Sequence, residues 1–307
     1  MCGSIMPLKS KLYYDEMKKG SVLFFIILLF IFTACSKKSG SDQLKVITLN
    51  IRYDNPGDSL NAWPFRAPLV TGFLDKEKPD LIGLQEVLFS QYVYLDSVLI
   101  DYASAAAGRE DGVRAGEMNP VFFRKDRFDL VRNLTFWLSE TPEVPGSKAW
   151  NSSLPRIVTW VELANKNTHD HLFFFNTHFA HDSDTARIMS AKLLLSRIDT
   201  IATTYPFIVT GDFNSLPGSE PYDILTGPAE SVPLLMDAKE ISEKNPEGPV
   251  YTYNGFSDTS SSNRIDYIFV RNGLKVLDHR VFVKKERRVF ISDHWPVEAI
   301  VSLSQKK

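Results

Sequence analysis

Cysteine is almost absent from this 307-residue chain, whose only two, Cys2 and Cys35, both precede the first strand-like segment. No intramolecular disulfide can therefore form beyond residue 35. Long hydrophobic runs are missing as well. The unbroken apolar stretch Val22 to Phe32 falls well short of the ~20 residues that span a bilayer, so it does not read as a transmembrane helix. After Ser41 there is no internal repeat, no low-complexity tract and no linker long enough to divide the chain, which leaves one domain. A basic excess is also lacking. Residues 1–34 hold four Lys and two acidic residues of the 35 basic and 37 acidic in the whole, so the remainder carries a net charge of −4. Proteins that track long nucleic acid draw most of their non-specific affinity from neutralising phosphates, and this balance argues against that class. The run Lys284-Lys285-Glu286-Arg287-Arg288 is a local basic cluster that reads as a solvated turn.

What is present begins with ordinary globular composition, 44% hydrophobic and 23% charged, which excludes a disordered chain. Lys18-Lys19, the apolar run and Thr33-Ala34-Cys35 have the order of a signal peptide: positive start, short apolar middle, small residues at the cut. The segment resembles a bacterial lipoprotein signal, in which the cysteine is diacylated and becomes the new N-terminus, although Phe32 stands where such signals more often carry Leu. The resemblance implies that residues 1–35 are a lipoprotein signal peptide, with Met17 as the expected start, and that Cys35 is lipidated. Residues 36–43 then form a polar tether, and the protein sits in the cell envelope, on the periplasmic or surface face, held to the membrane by its lipid.

Beyond the tether, short segments rich in β-branched and aromatic residues, bounded by Gly, Pro, Asn and Asp, predict strands over 44–51, 80–84, 120–123, 157–163, 172–177, 207–210, 265–270, 276–283 and 297–303. Helical spacing is scarcer. Ser183-Asp184 offers an N-cap before Ile188, Leu194, Leu195, Ile198 and Ile201, and residues 63–76 place Phe65, Leu69, Val70, Phe73 and Leu74 on one apolar face. Many strands with few helices suggest two packed sheets with helices outside.

Polar and acidic residues recur at the C-terminal ends of these strands: Asn50, Gln85-Glu86, Asn176-Thr177-His178 and Gly211-Asp212-Phe213-Asn214, with Ser292-Asp293-His294 ahead of the last. A buried carboxylate is costly unless paired or bound to a cation, so several converging at one rim would form an oxygen-lined site for a hard ion. Taken singly each has a bland reading, since Asp and Asn so often serve turns. Thr48-Leu49-Asn50-Ile51-Arg52, Leu84-Gln85-Glu86-Val87, Asn176-Thr177-His178, Gly211-Asp212-Phe213-Asn214, Arg264-Ile265-Asp266-Tyr267-Ile268 and Ser292-Asp293-His294-Trp295-Pro296-Val297 occur in that order. Together they resemble the endonuclease/exonuclease/phosphatase superfamily. Gly116 to Arg124, Phe136 to Pro142 and Ala186-Arg187 look typical of its bacterial members.

The resemblance implies an α/β fold, a four-layer α/β sandwich of two packed mixed β-sheets flanked by helices, with residues 44–307 as the catalytic domain. It implies a metal-dependent phosphoesterase that attacks phosphorus with water, using Mg²⁺ or Mn²⁺ held by Glu86, Asn50 and Asp293. Asp212 would orient or deprotonate the water, Asn214 and His178 would serve the phosphate, and Asp266 would orient His294. Asn119, Arg187 and His181 carry over as substrate-binding residues, although Ala180 stands where relatives often have an acid. The expected substrate is a phosphodiester or phosphomonoester, with a small phosphorylated metabolite or short oligonucleotide favoured over long nucleic acid, and no protein partner. The competing class is a catalytically inactive ligand-binding lipoprotein on the same fold.

Overall fold

A computed structural model describes residues 43–227, 235–259 and 263–303; the leader, Cys35 and the tether up to residue 42 lie outside the described residues. The strands are β1 Gln43–Asn50, β2 Leu81–Gln85, β3 Tyr102–Ala105, β4 Val121–Arg124, β5 Phe128–Trp137, β6 Ile157–Asn165 and β7 His171–His178. They continue with β8 Phe207–Asp212, β9 Met236–Asp237, β10 Asp266–Arg271, β11 Leu274–Val281, β12 Lys285–Glu286, β13 Val289–Phe290 and β14 Val297–Leu303. The α-helices are α1 Trp63–Glu77, α2 Phe89–Val98, α3 Asp184–Ala202 and α4 Glu220–Thr226. One sheet runs β11-β14-β1-β2-β4-β3 and the other β5-β6-β7-β8-β10-β9. Each is mixed, with a single parallel pair near its centre: β1 with β2, and β7 with β8.

Period-two alternation explains the layering. Phe174, Ile208, Ile268 and Val270 pack toward the first sheet, while their neighbours Phe173, Phe175, Val209, Tyr267 and Phe269 pack on Leu194, Leu195 and Ile198 of α3. From β6 to β10 the second sheet is thus buried on both faces, and α1 covers the outer side of the first through Val70, Phe73 and Leu74. This is the expected four-layer sandwich.

All nine expected strands form, with ends shifted by a few residues; β11 carries a bulge between Val276 and Asp278. Ser183 caps α3, its side chain accepting from the Ala186 amide at 3.1 Å. On α1 the expected face needs one correction. Phe65 is 57% exposed, and Trp63, Arg66, Ala67, Val70, Phe73 and Leu74 form the buried stripe at i, i+3, i+4, i+7 spacing. The position that helical geometry turns inward beside Trp63 belongs to Arg66, a charged residue. Residues 284–288 lie in the exposed hairpin of β12 and β13, as a solvated turn should.

Between the sheets runs a seam of buried polar groups. Gln85 donates through Nε2 to Asn176 Oδ1 at 2.7 Å and to Thr48 Oγ1 at 3.0 Å. Asn176 donates to the carbonyls of Leu84 and Pro120, and Thr210 donates to Asn176 Oδ1. Gly83 is required here, because a Cβ would sit 2.2 Å from Thr210 Oγ1. Thr48, Asn176 and Thr210 each lie two residues beneath the ends of their strands, and with Gln85 they tie the two sheets in register.

Candidate active site

The two parallel pairs end at the same edge of the sandwich. Pairing places Asn50 beside Gln85 in one sheet, and His178 beside Asp212 beside Asp266 in the other. The Ser292-Asp293-His294 segment approaches over the top, anchored by Ser292 Oγ donating to the Asn50 carbonyl at 2.6 Å. Asn50, Asp212 and Asp266 are almost fully buried.

The contacts interlock. Asn50 Nδ2 donates to Glu86 Oε1 and to Asp212 Oδ2, both at 3.0 Å. Asp266 Oδ2 holds His294 Nδ1 at 2.8 Å, leaving His294 Nε2 3.7 Å from Asp212 Oδ2. Asn214 Nδ2 donates to the Phe179 carbonyl at 3.1 Å and faces His178 Nε2 at 3.0 Å. The carbonyl fixes which end of the amide points there, so His178 Nε2 accepts and its proton resides on Nδ1. Arg52, Glu86 and Asn214 all have positive φ, between 48° and 58°. Such conformations cost side-chain-bearing residues on the order of 1 kcal/mol or more each and gather where a site demands them.

Burial and charge divide the titratable groups. Burial pushes the Asp212 carboxyl up to about 7, the Asp266 charge adding to it and His294 opposing. For His294 burial acts downward, but the charges of Asp266 and Asp212 outweigh it and hold the imidazole well above its ordinary value. Burial, then the charges of Arg156 and His294, keep His178 well below. The result is one imidazolium and one neutral imidazole flanking a carboxyl group balanced near neutrality.

Two clusters are open to a cation. The ligand atoms of Asp212, Asp266 and His294 lie within 4.8 Å of one another. There, however, His294 already carries a positive charge and spends Nδ1 on Asp266. Glu86 and Asp293 offer the better donors. Each has an oxygen 3.9 Å from the Arg52 guanidinium, and the Asp293 carboxyl is raised by burial and by Glu86 against the opposition of His294. Two crowded carboxylates are hard-cation donors; Asn50 faces them through Nδ2, its Oδ1 accepting from the Arg52 amide at 2.9 Å, so it would join the set by turning that oxygen toward the ion.

Of the remaining expected residues, Asn119 donates to the Ile157 carbonyl at 3.0 Å beside the site. Arg187 is turned onto its own loop, donating to the Ala180 carbonyl at 2.8 Å and pairing with Asp184. His181 is exposed, with Nδ1 2.9 Å from Arg156 Nη2. Sequence reasoning did not single out Arg109, Glu117, Arg156 or Tyr253. The Tyr253 ring meets His294 edge-on at 5.1 Å, and nothing in its local sequence marks it, since the loop that delivers it is far from His294 along the chain. For Arg156 a signal existed: a charged residue directly ahead of a strand that is buried for most of its length.

The chain as a whole is similar to known proteins. A crystal structure of the endonuclease/exonuclease/phosphatase from Bacteroides vulgatus is 35% identical, with a TM-score of 0.81 over 85% of this chain and 99% of that one. A mannosyl-6-phosphatase from Bacteroides thetaiotaomicron is 31% identical, with a TM-score of 0.77 over 85% and 100%. An uncharacterised protein of Acanthamoeba polyphaga mimivirus is 25% identical over 62% of this chain, and the match spans only 33% of that relative. Residues 47–294 match the profile of the Endonuclease/Exonuclease/phosphatase family, and the chain belongs to that family.

Proposed function

We propose that this protein hydrolyses a phosphate ester of a small phosphorylated metabolite or short oligonucleotide, with a divalent cation, Mg²⁺ or Mn²⁺, held by Glu86, Asn50 and Asp293. The observation that carries this reading is the Asp266–His294 pair set against Asp212, at the edge where Glu86 and Asp293 converge. Membership of the family and the likeness to a mannosyl-6-phosphatase support a phosphoesterase. When bound, the cation would supply charge neutralisation at the phosphate.

The chain's own groups do the rest. Asp212, near 7, takes a proton from the attacking water, as suits a general base working near neutrality. His294, kept charged by Asp266, donates to phosphate oxygens as charge builds on them. Asn214 holds His178 in one tautomer, so that its Nδ1–H is directed by the fold and not by solvent. Residues 36–307 should hydrolyse phosphate esters with Mg²⁺ or Mn²⁺ and lose that activity on chelation. Full turnover in excess chelator would remove the metal from the reading, and binding of phosphate esters without turnover would favour the ligand-binding alternative.

The leader motif supports a lipid-anchored protein of the cell envelope. Cys35→Ser should abolish lipid labelling and leave the precursor uncut; a processed, labelled variant would overturn the anchor.

A further inference from the structure

Beside the catalytic edge Arg109, Asn119, Pro155, Arg156, Ile157 and His178 line a narrow crevice, too tight in this structure to admit a water molecule. Arg156 is 95% buried, with 5% of its surface exposed. Its Nη2 meets His181, whereas Nε and Nη1 have no hydrogen-bond partner among the described residues. Glu117, Asp212 and Glu86 act on Arg156 only through space, and none stands within ion-pair distance of it among the described residues. Arg109 pairs with Glu117 at 2.7 Å through Nη1, but its Nε likewise has no partner there. The fourth such atom on the cleft lining is His178 Nδ1, which carries the proton. Every unsatisfied buried polar atom of this lining is thus an N–H donor.

A buried guanidinium with two idle donors is expensive, and burial together with the neighbouring charge of Arg109 already disfavours its charged form. A neutral hydroxyl would accept a bond but leave the charge uncompensated. An oxyanion answers both needs, and the planar fork of arginine suits phosphate oxygens. A phosphodiester has two non-bridging oxygens, which His294 and the cation would engage in the proposed mechanism. A phosphomonoester has a third, and a second negative charge.

We propose that Arg156, backed by Arg109, is a specificity-determining residue that binds the terminal oxygens of a phosphomonoester, making a monoester dianion the preferred substrate class. The assignment rests on the phosphoesterase reading above. Its test measures binding of inorganic phosphate by calorimetry with Mg²⁺ present, and kcat/KM on p-nitrophenyl phosphate and bis(p-nitrophenyl) phosphate. The proteins are wild type, Arg156→Gln, Arg156→Lys and Arg109→Gln, with Arg288→Gln on the exposed hairpin as the charge control.

Arg156→Gln should weaken phosphate binding by roughly 10- to 100-fold, as expected for losing charge-assisted hydrogen bonds. The monoester-to-diester ratio of kcat/KM should fall by a similar factor, Arg156→Lys should recover part of it, and the control should match wild type. Loss of folded protein scales both esters equally and leaves the ratio unmoved, so an unstable variant still reports. Wild-type phosphate affinity in folded Arg156→Gln, or equal losses on the two esters, overturns the assignment. If wild type hydrolyses neither ester yet binds phosphate through Arg156, the catalytic reading falls and the anion site stands. If hydrolysis is metal-dependent and the ratio ignores Arg156, the catalytic reading stands and this one falls.

Discussion

Asp212 receives two hydrogen bonds, from Asn50 Nδ2 and the Asn214 amide, and lies 3.5 Å and 3.7 Å from the ring nitrogens of His178 and His294. Asp212→Asn preserves size and keeps one of the two accepted hydrogen bonds but removes the proposed base, so turnover should drop at least ~10²-fold, the usual loss for a general base. In the proposed mechanism Asp266 acts only through His294, whose Nδ1 it holds. Because paired residues give non-additive losses, Asp266→Asn with His294→Ala should be little worse than His294→Ala alone. Turnover of the three single variants and the double variant, compared at matched thermal stability, checks both points. An undiminished rate in Asp212→Asn would move the catalytic centre elsewhere, and losses that multiply would dissolve the Asp266–His294 pairing. These residues could be named from sequence because each lies in a short motif beside a strand whose apolar pattern announces itself, Asp212 closing β8, Asp266 opening β10 and His294 preceding β14. Arg109 could not, and the place of Arg156 ahead of a buried strand signalled burial alone; what distinguishes both is individual N–H donors left without partners among the described residues, a property of three-dimensional packing that no local pattern records.

Among the elements, α1 shows how a helix can serve a site it does not enter. Arg66, fully buried, donates to the carbonyls of Ile51, Arg52, Asn61 and Ile291, joining the loop after β1 to the segment that leads to Asp293. Burial pushes its guanidinium down to about 10, partly offset by Asp293 and Asp58. Arg66→Met fills similar space but strands several buried carbonyls at ~1–3 kcal/mol each, so stability should fall by at least ~3 kcal/mol. Urea unfolding checks this, and a loss under ~1 kcal/mol would show that the carbonyls find other donors. The elements that sequence patterning reached were those with a buried face. It missed α2, where Gln91 and Leu95 are the only buried residues, and β5, whose middle faces solvent at the edge of its sheet. The Phe65 expectation failed because an apolar residue was preferred to a charged one when a helical face was assigned.

At the scale of the whole molecule, stability carries a proton dependence from His279 on β11. Its ring is 4% exposed and its Nδ1 has no partner among the described residues. Burial lowers its pKa from 6.5 to about 4. The unfolded chain therefore binds more protons between those values, so the contribution is intact above 6.5 and drains away as pH falls toward 4. Between pH 7.5 and 5.0 this amounts to about 2 kcal/mol. Urea unfolding of wild type and His279→Leu at both values should show the wild type losing that much more than the variant; equal losses would assign the dependence to other groups. The strand order carries a different consequence. β14, the last of the described strands, lies between β1 and β11, and the residues just ahead of it are Asp293 and His294. Synthesis runs from the other end, so Asn50, Glu86, His178 and Asp212 all emerge before the strand that completes their surroundings. A ribosome-bound or prematurely terminated chain can build most of the second sheet and still lack His294, Asp293 and the strand that joins β11 to β1 in the first sheet. On the proposed mechanism, hydrolytic competence arrives only when β14 threads into a gap left open for it, and fragments ending before that strand should be chemically silent.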